Sequence, residues 1–282
     1  MVMTPAQARR FTQQQLEEAG LESARFESRV LVETVLGISG SAGLLPETPL
    51  TEAQAEHLAQ LTKRRCAHEP LQYLCGNWEF FGLEFAVGEG VLIPRQDTET
   101  LVETVLELRR SAEGTHLLDL CSGSGCIPAA IAAHLEHVTG DAVELSEQAL
   151  PYLRQNLRRH APQIRIHAGD ALQPPAILAG EQYDVITCNP PYLTEEDMAQ
   201  IQPEVTFEPE TALLGGKDGL AFYRNLTPIW KAYLKKDGWL VYETGMGQGQ
   251  AVQEMLEQAG FCQCRIISDL AGIDRVVIGK KQ

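Results

Sequence analysis

Basic charge is scarce in this chain. Its 282 residues carry 23 Lys and Arg against 38 Asp and Glu, a formal net charge of −15. Most of the acidic excess falls after residue 75. Such a balance argues against direct binding to a nucleic-acid backbone, which calls for a basic stripe. No run approaches the ~18 apolar residues of a membrane span. The opening "MVMTPAQARRFTQQQLEEAG" also lacks the apolar core of a secretory leader. The expectation is a cytoplasmic protein with no membrane partner. Cysteines number seven, an odd count with no C-x-x-C pair, which fits a reduced setting better than a disulfide framework. The seven histidines show no zinc-like spacing, so no metal is expected.

What is present divides into three stretches: 1–75, 76–96 and 97–282. The first reads as helices. "PAQARRFTQQQLEEAG" has Pro5 near its start and Gly20 at its end; "SARFESRVLVETVLG" spaces Ala24, Leu31, Val32, Val35 and Leu36 along one face; "TEAQAEHLAQLTKRR" begins at Thr51, a plausible N-cap. These stripes predict a small bundle core. In 76–96, "WEFFGLEFAVGEGVLIPR" mixes aromatic and β-branched residues with Gly82, Gly88 and Gly90, the pattern of a β-hairpin linker. "DTETLVETVLELRR" then predicts a helix capped by Asp97 or Thr98.

From residue 115 short apolar strands alternate with helical stretches: 116–120, 141–145, 164–168, 183–188, 238–243, 262–268 and 274–279 read as strands. The alternation predicts an α/β fold, a largely parallel sheet covered by helices on both faces. Only five residues separate the last two strands, which predicts an antiparallel hairpin. The helix before 238–243 is expected to run through "GLAFYRNLTPIWKAYLKK".

Chemistry gathers at the strand ends. The first strand runs into "DLCSGSGC", so Cys121, Ser122, Gly123, Ser124 and Gly125 form a small-residue turn into a helix, where backbone amides can face a ligand. A dinucleotide loop would want a third glycine at Pro128, and a phosphate-loop lysine is missing too. Glu144 ends the second strand about 20 residues later, where a carboxylate can accept from ribose hydroxyls. Asp170 and Ala171 end the third. Open α/β sheets bind ligands outside the carboxyl ends of their strands, so these tips converge on one crevice suited to an adenosine-containing cofactor without a pyrophosphate.

"NPPY" follows the fourth strand on the same rim. Its two prolines stiffen the turn and remove amide donors, leaving the Asn189 side chain and the Pro190 carbonyl to accept. Pro191 continues the turn, and Tyr192 offers a flat ring. Two acceptors beside a stacking surface can hold a planar NH2 group by both hydrogens.

In this order "DLCSGSG", "VELS", "AGDA" and "NPPY" resemble the motifs of class I S-adenosylmethionine-dependent methyltransferases acting on amino or amide nitrogens. Residues 70–103 and 207–225, with "IPRQDTE" and "FEPETALLGGKDGLAFYRN", narrow the resemblance to the PrmC/HemK family of peptide chain release factor glutamine methyltransferases. The resemblance covers nearly the whole chain. It implies a Rossmann-like, seven-stranded catalytic domain over 97–282, an N-terminal helical domain over 1–75 that recognises the protein substrate, and S-adenosyl-L-methionine as cofactor. It also implies release factors as partners, a monomeric chain, and methyl transfer to the glutamine amide of a Gly-Gly-Gln motif. Carried over by position, Cys121 to Gly125 pass under the methionine part, Glu144 holds the ribose, Asp170 and Ala171 border the adenine, and Asn189 to Tyr192 grip the glutamine, with Asn189 also near the cofactor. Three positions depart from the family pattern: Cys121 stands where glycine is usual, Glu144 where aspartate is usual, and Ala171 where a bulky residue is common. Two other readings share "NPPY": a ribosomal-protein glutamine methyltransferase, and a nucleic-acid amino-group methyltransferase, which the acidic composition disfavours. A cofactor-binding module without turnover would leave "NPPY" without a purpose.

Overall fold

The computed structural model describes residues 3–38 and 45–282, in two units. The first unit comprises the chain up to Asn77 together with Gln202–Phe207. Helices α1 (Pro5–Glu18), α2 (Ala24–Leu36), α3 (Glu52–Cys66) and α4 (Leu71–Cys75) build it. Thr4 with Gln7, and Thr51 with Gln54, form reciprocal capping boxes that satisfy the first amides of α1 and α3. Leu16, Leu31, Val32, Leu58 and Leu61 are buried, while Val35 and Leu36 are half-buried at the edge of the predicted stripe. Arg65, buried on α3, donates to both oxygens of Glu27 at 2.6 and 3.1 Å and reaches Glu204 at 3.0 Å. Glu204 arrives on the returning segment, more than a hundred residues later in the chain.

The second unit holds Trp78–Ile201 and Glu208–Gln282. A two-stranded hairpin of β1 (Asn77–Phe80) and β2 (Leu83–Ala86) leads to α5 (Glu99–Arg109). Then come β3 (Thr115–Leu120), α6 (Cys126–His134), β4 (Val138–Glu144), α7 (Leu150–His160), β5 (Ile164–Ala168), β6 (Tyr183–Cys188), the short α8 (Glu195–Met198), α9 (Ala221–Lys231), β7 (Leu234–Glu243), α10 (Gly249–Gln258), β8 (Phe261–Ser268) and β9 (Asp274–Lys281). Among the described residues, β3 to β9 form one seven-stranded sheet in the order β5-β4-β3-β6-β7-β9-β8. The pairings from β5 to β7 are parallel, and β9 runs antiparallel to both β7 and β8. The expected terminal hairpin is therefore present.

Side chains alternate across the sheet with period two. Leu117, Val185, Val241 and Ile278 face one core with α5, α6 and α7, while Leu118, Ile186, Leu240 and Val277 face another with α9 and α10. Burying each such side chain is worth ~1.5–3 kcal/mol. The chain order reverses between β3 and β6, which opens a crevice beyond their carboxyl ends.

Two local expectations fail. The helix before the fifth strand of this sheet stops at Lys231, and Leu234 already pairs with Tyr183 as β7 begins. Buried Leu234 favours the sheet over another helical turn, and a register shift with Asp237 at φ 65° absorbs the polar "KKDG". At α5, neither Asp97 nor Thr98 caps: Thr98 precedes the helix without a side-chain cap bond, and a 3-10 turn covers Gln96–Thr98. Both side chains are committed elsewhere.

Candidate active site

A cavity of about 390 Å³ lies beyond the carboxyl ends of β3, β4, β5 and β6. It falls within the usual range for small-molecule sites. Cys121, Ser122, Gly123, Ser124, Glu144, Asp170, Ala171, Asn189 and Pro191 all contribute to its wall. The segment after the hairpin, expected only to connect, contributes Gly90, Leu92, Ile93, Pro94 and Arg95 as well.

The turn after β3 is tightly wound. Cys121, Gly123 and Gly125 all take left-handed backbone angles, at φ 55°, 52° and 79°. At Gly125 an added Cβ would stand 2.6 Å from Leu153 Cδ1, so close packing of α7 requires glycine there. Gly125 packs against α7 and does not line the cavity. Glu144 spans two loops: one carboxylate oxygen accepts from the Gly123 amide and the other from the Ser146 amide, both at 2.7 Å. The extra methylene relative to aspartate is thus used to tie the glycine turn to the tip of β4. Asp170 folds back onto the Leu172 amide at 2.8 Å, and the Ala171 carbonyl accepts from Trp230 Nε1 at 2.9 Å. A residue the sequence did not single out secures the turn from behind. Buried Asn156 on α7 donates to the Ser124 carbonyl at 2.9 Å and exchanges two bonds with the backbone of Ala86.

"NPPY" is clamped by the segment "LLGGKDG". The Leu193 amide donates to Leu213, and the Gly215 amide returns to Leu193, at 2.8 and 2.7 Å. Gly219 comes so close that a Cβ would stand 2.3 Å from the Tyr192 carbonyl, and Gln248 donates to that carbonyl at 2.9 Å. Asn189 and Pro191 line the cavity, and Pro190 and Tyr192, held by this clamp, adjoin them in the chain without lining it. Tyr192 is half-buried against the core shared with α9 and α10. Burial, then the charge of Glu243, raises its phenol above the ordinary value and keeps it neutral.

Each polar residue of "RQDTE" except Gln96 has a distant partner. Arg95 pairs with buried Glu208, whose other oxygen accepts from the Ile93 amide at 3.0 Å. Asp97 pairs with Arg275 on β9 at 2.8 Å. Glu99 accepts from the Phe81 amide at 2.8 Å and fixes the hairpin turn. Thr98 accepts from Asn189 Nδ2 at 3.5 Å. Beside that pair lies Glu243, the last residue of β7, only 2% exposed. Burial pushes its carboxyl up to about 7, opposed by hydrogen bonding from Thr98, by Arg275 and by hydrogen bonding from Asn189. Its Oε2 has no hydrogen-bond partner. Asp119, at the end of β3, is likewise buried and pushed up to about 7; Thr187 donates to one oxygen at 2.6 Å and the other is unpartnered. The signal for both was an acidic residue at the end of a strand buried on both faces, where a carboxylate is costly without a task.

The α/β sheet with this strand order and a cavity at its switch point has the Rossmann-like architecture expected of a class I methyltransferase, and the sequence comparisons place it in that class. The family model described as "Methyltransferase small domain" matches residues 96–212, and the one described as "PrmC N-terminal domain" matches residues 7–76. Solved structures agree on the fold. The hMettl16 catalytic domain in complex with MAT2A 3′UTR hairpin 6 superposes at TM-score 0.57 and 17% identity, over 81% of this chain and 82% of that one. A methyltransferase from Pyrococcus furiosus gives TM-score 0.52 and 19% identity, over 72% of this chain and 90% of that one. Curated relatives are far nearer. The release factor glutamine methyltransferase of Geobacter sulfurreducens is 41% identical over 96% of this chain and 94% of its own. That of Koribacter versatilis is 36% identical over 99% of each. The chain belongs to the family of release factor glutamine methyltransferases.

Proposed function

We propose that this chain transfers a methyl group from S-adenosyl-L-methionine to the side-chain amide nitrogen of the glutamine in the Gly-Gly-Gln motif of release factors. One observation carries the reading: Asn189 stands at the cavity wall directly after β6, beside the glycine turn after the neighbouring strand β3. The residues fit a cationic nucleoside cofactor. Of the charged residues that line the cavity, Glu144, Glu147 and Asp170 are acidic and Arg95 alone is basic, and Arg95 is already paired with Glu208. The backbone turn from Cys121 to Ser124 supports the methionine part, Glu144 accepts from the ribose, and Asp170 with Ala171 borders the adenine.

When bound, the cofactor supplies a methyl group already activated by its positively charged sulfur. An amide nitrogen is a weak nucleophile because its lone pair is delocalised into the carbonyl. The protein therefore contributes orientation, which in well-aligned systems supplies ~7–11 kcal/mol of the barrier. Asn189 Oδ1 and the Pro190 carbonyl accept the two amide hydrogens of the glutamine, and Tyr192 flanks its plane. The same acceptors stabilise positive charge growing on the nitrogen. The proton leaves to water.

The helical unit recognises the release factor, a role supported by the match of residues 7–76 to the model described as "PrmC N-terminal domain". The chain acts as a cytoplasmic monomer and does not bind nucleic acid directly, in keeping with its net charge of −15. Mass spectrometry of a release factor incubated with the protein and S-adenosyl-L-methionine tests the reading. A gain of one methyl on the Gly-Gly-Gln glutamine is expected; methylation of a ribosomal protein or a nucleic acid in its place overturns it.

A further inference from the structure

Asn189 can serve as an acceptor only if its oxygen, rather than its amino group, faces the cavity. A carboxamide is nearly symmetric in shape, so its orientation is decided by what lies behind it. Beside Asn189 stand two groups on elements remote in sequence, Thr98, which itself lines the cavity, and Glu243, which does not. Thr98 Oγ1 lies 3.5 Å from Asn189 Nδ2, and Cys188 pairs with Tyr242, so Glu243 at the end of β7 stands beside Asn189, where both Asn189 and Thr98 act on its carboxyl. Glu243 is buried and retains an unpartnered oxygen. Burial raises Glu243 to about 7, opposed by Thr98 and Arg275, and the ionised form that prevails above that value accepts and never donates. Facing it, the amino end of Asn189 is satisfied, whereas the flipped carboxamide would set oxygen against oxygen.

We propose that Glu243, acting together with Thr98, is a positioning residue that locks the Asn189 carboxamide with its oxygen toward the substrate amide. Arg275, itself held by Asp97 and Asp269, is the cation that favours the ionised form of Glu243. The charge of Glu243 is also felt at Tyr192, Tyr223 and Cys188, all of which burial holds neutral. The arrangement resolves an otherwise unexplained cost, a carboxyl sequestered from water beneath a site that never contacts it.

The inference rests on the proposed methyl transfer, so its test has two independent readouts. In the first, Thr98→Val and Glu243→Gln keep the side-chain shapes but remove the hydroxyl and the obligate acceptor. Each is expected to lower kcat for release-factor methylation by about tenfold or more, the scale of a misoriented reacting group. Affinity for S-adenosyl-L-homocysteine should stay within about twofold, and Thr98→Ser should restore most of the turnover. In the second, the Asn189 side-chain amide signals are followed by 15N NMR in the ligand-free protein and identified by their loss in Asn189→Ala. They should move in Thr98→Val and Glu243→Gln and stay in place in Thr98→Ser. Unmoved signals in both variants, or wild-type kcat in both beside an active parent, overturn the inference. An inactive parent whose Asn189 signals still respond to both variants would instead sink the functional reading and leave the orientation lock standing.

Discussion

Asn156 and Ser124 are joined by a hydrogen bond of 2.9 Å between the Asn156 amide and the Ser124 carbonyl, and the same side chain exchanges two bonds with Ala86. One buried residue on α7 thus links the glycine turn to the end of the hairpin. Its replacement by leucine leaves three backbone groups without partners. Asn156→Leu should cost about 2–4 kcal/mol of stability. It should also weaken S-adenosyl-L-homocysteine binding, because the turn it steadies lines the cavity. Urea unfolding and calorimetric titration of the same variant check the two effects together.

Asn189→Ala removes an acceptor at the reacting nitrogen and should cut methyl transfer by about a hundredfold or more, the range for loss of one oriented polar group. Cofactor affinity should change much less. Radiolabelled transfer to a purified release factor, measured beside cofactor titration, separates the two; near-normal turnover would remove Asn189 from the chemistry.

The two sequestered carboxyls give stability an unusual pH dependence. Asp119 and Glu243 are both raised to about 7 by burial, from ordinary values of 3.8 and 4.5. Between those limits the folded chain holds more protons than the unfolded chain, so this contribution is complete at low pH and lost as pH rises toward 7. Carboxyls lowered by their partners, such as Asp141, Asp184 and Asp269, act oppositely, but only as pH falls below the ordinary carboxylate range. Unfolding free energy should therefore decline by about 1–3 kcal/mol from pH 5 to pH 7.5. Glu243→Gln and Asp119→Asn should each flatten the slope, as urea titrations across that range will register.

Cys121 adopts φ 55°, a conformation that costs a side-chain-bearing residue roughly 1–2 kcal/mol. Cys121→Gly should leave fold and cofactor affinity nearly intact, since it relieves that cost. Cys121→Val should be the worse substitution by about 1–2 kcal/mol because β-branching is poorly tolerated at positive φ. Thermal unfolding of the pair decides the order.

Much of this site was legible in sequence because the strand ends carry it. Glycine turns, a terminal acidic residue and an Asn-Pro-Pro turn are local signals, and each strand places its own tip on the rim. Residues such as Asn156 and Glu208 were not legible for the opposite reason: each meets a partner dozens of positions away, and no periodicity marks it. Asp97 and Thr98 looked like helix caps because local chemistry allows that, yet Arg275 and Asn189 compete for them more strongly. The end of α9 was misjudged because "AYLKK" has helical propensity, whereas sheet pairing of Leu234 with Tyr183 decides its conformation.

The excursion of Gln202–Phe207 has a consequence for how the chain can be divided. Glu204 supplies one of the two carboxylates around buried Arg65, yet it is encoded within the stretch that belongs mostly to the sheet. A fragment ending at Asn77 would take the guanidinium without that counter-charge. The helical portion is therefore not a detachable cassette: exchanging it between homologues would preserve its interior only if residue 204 travelled with it.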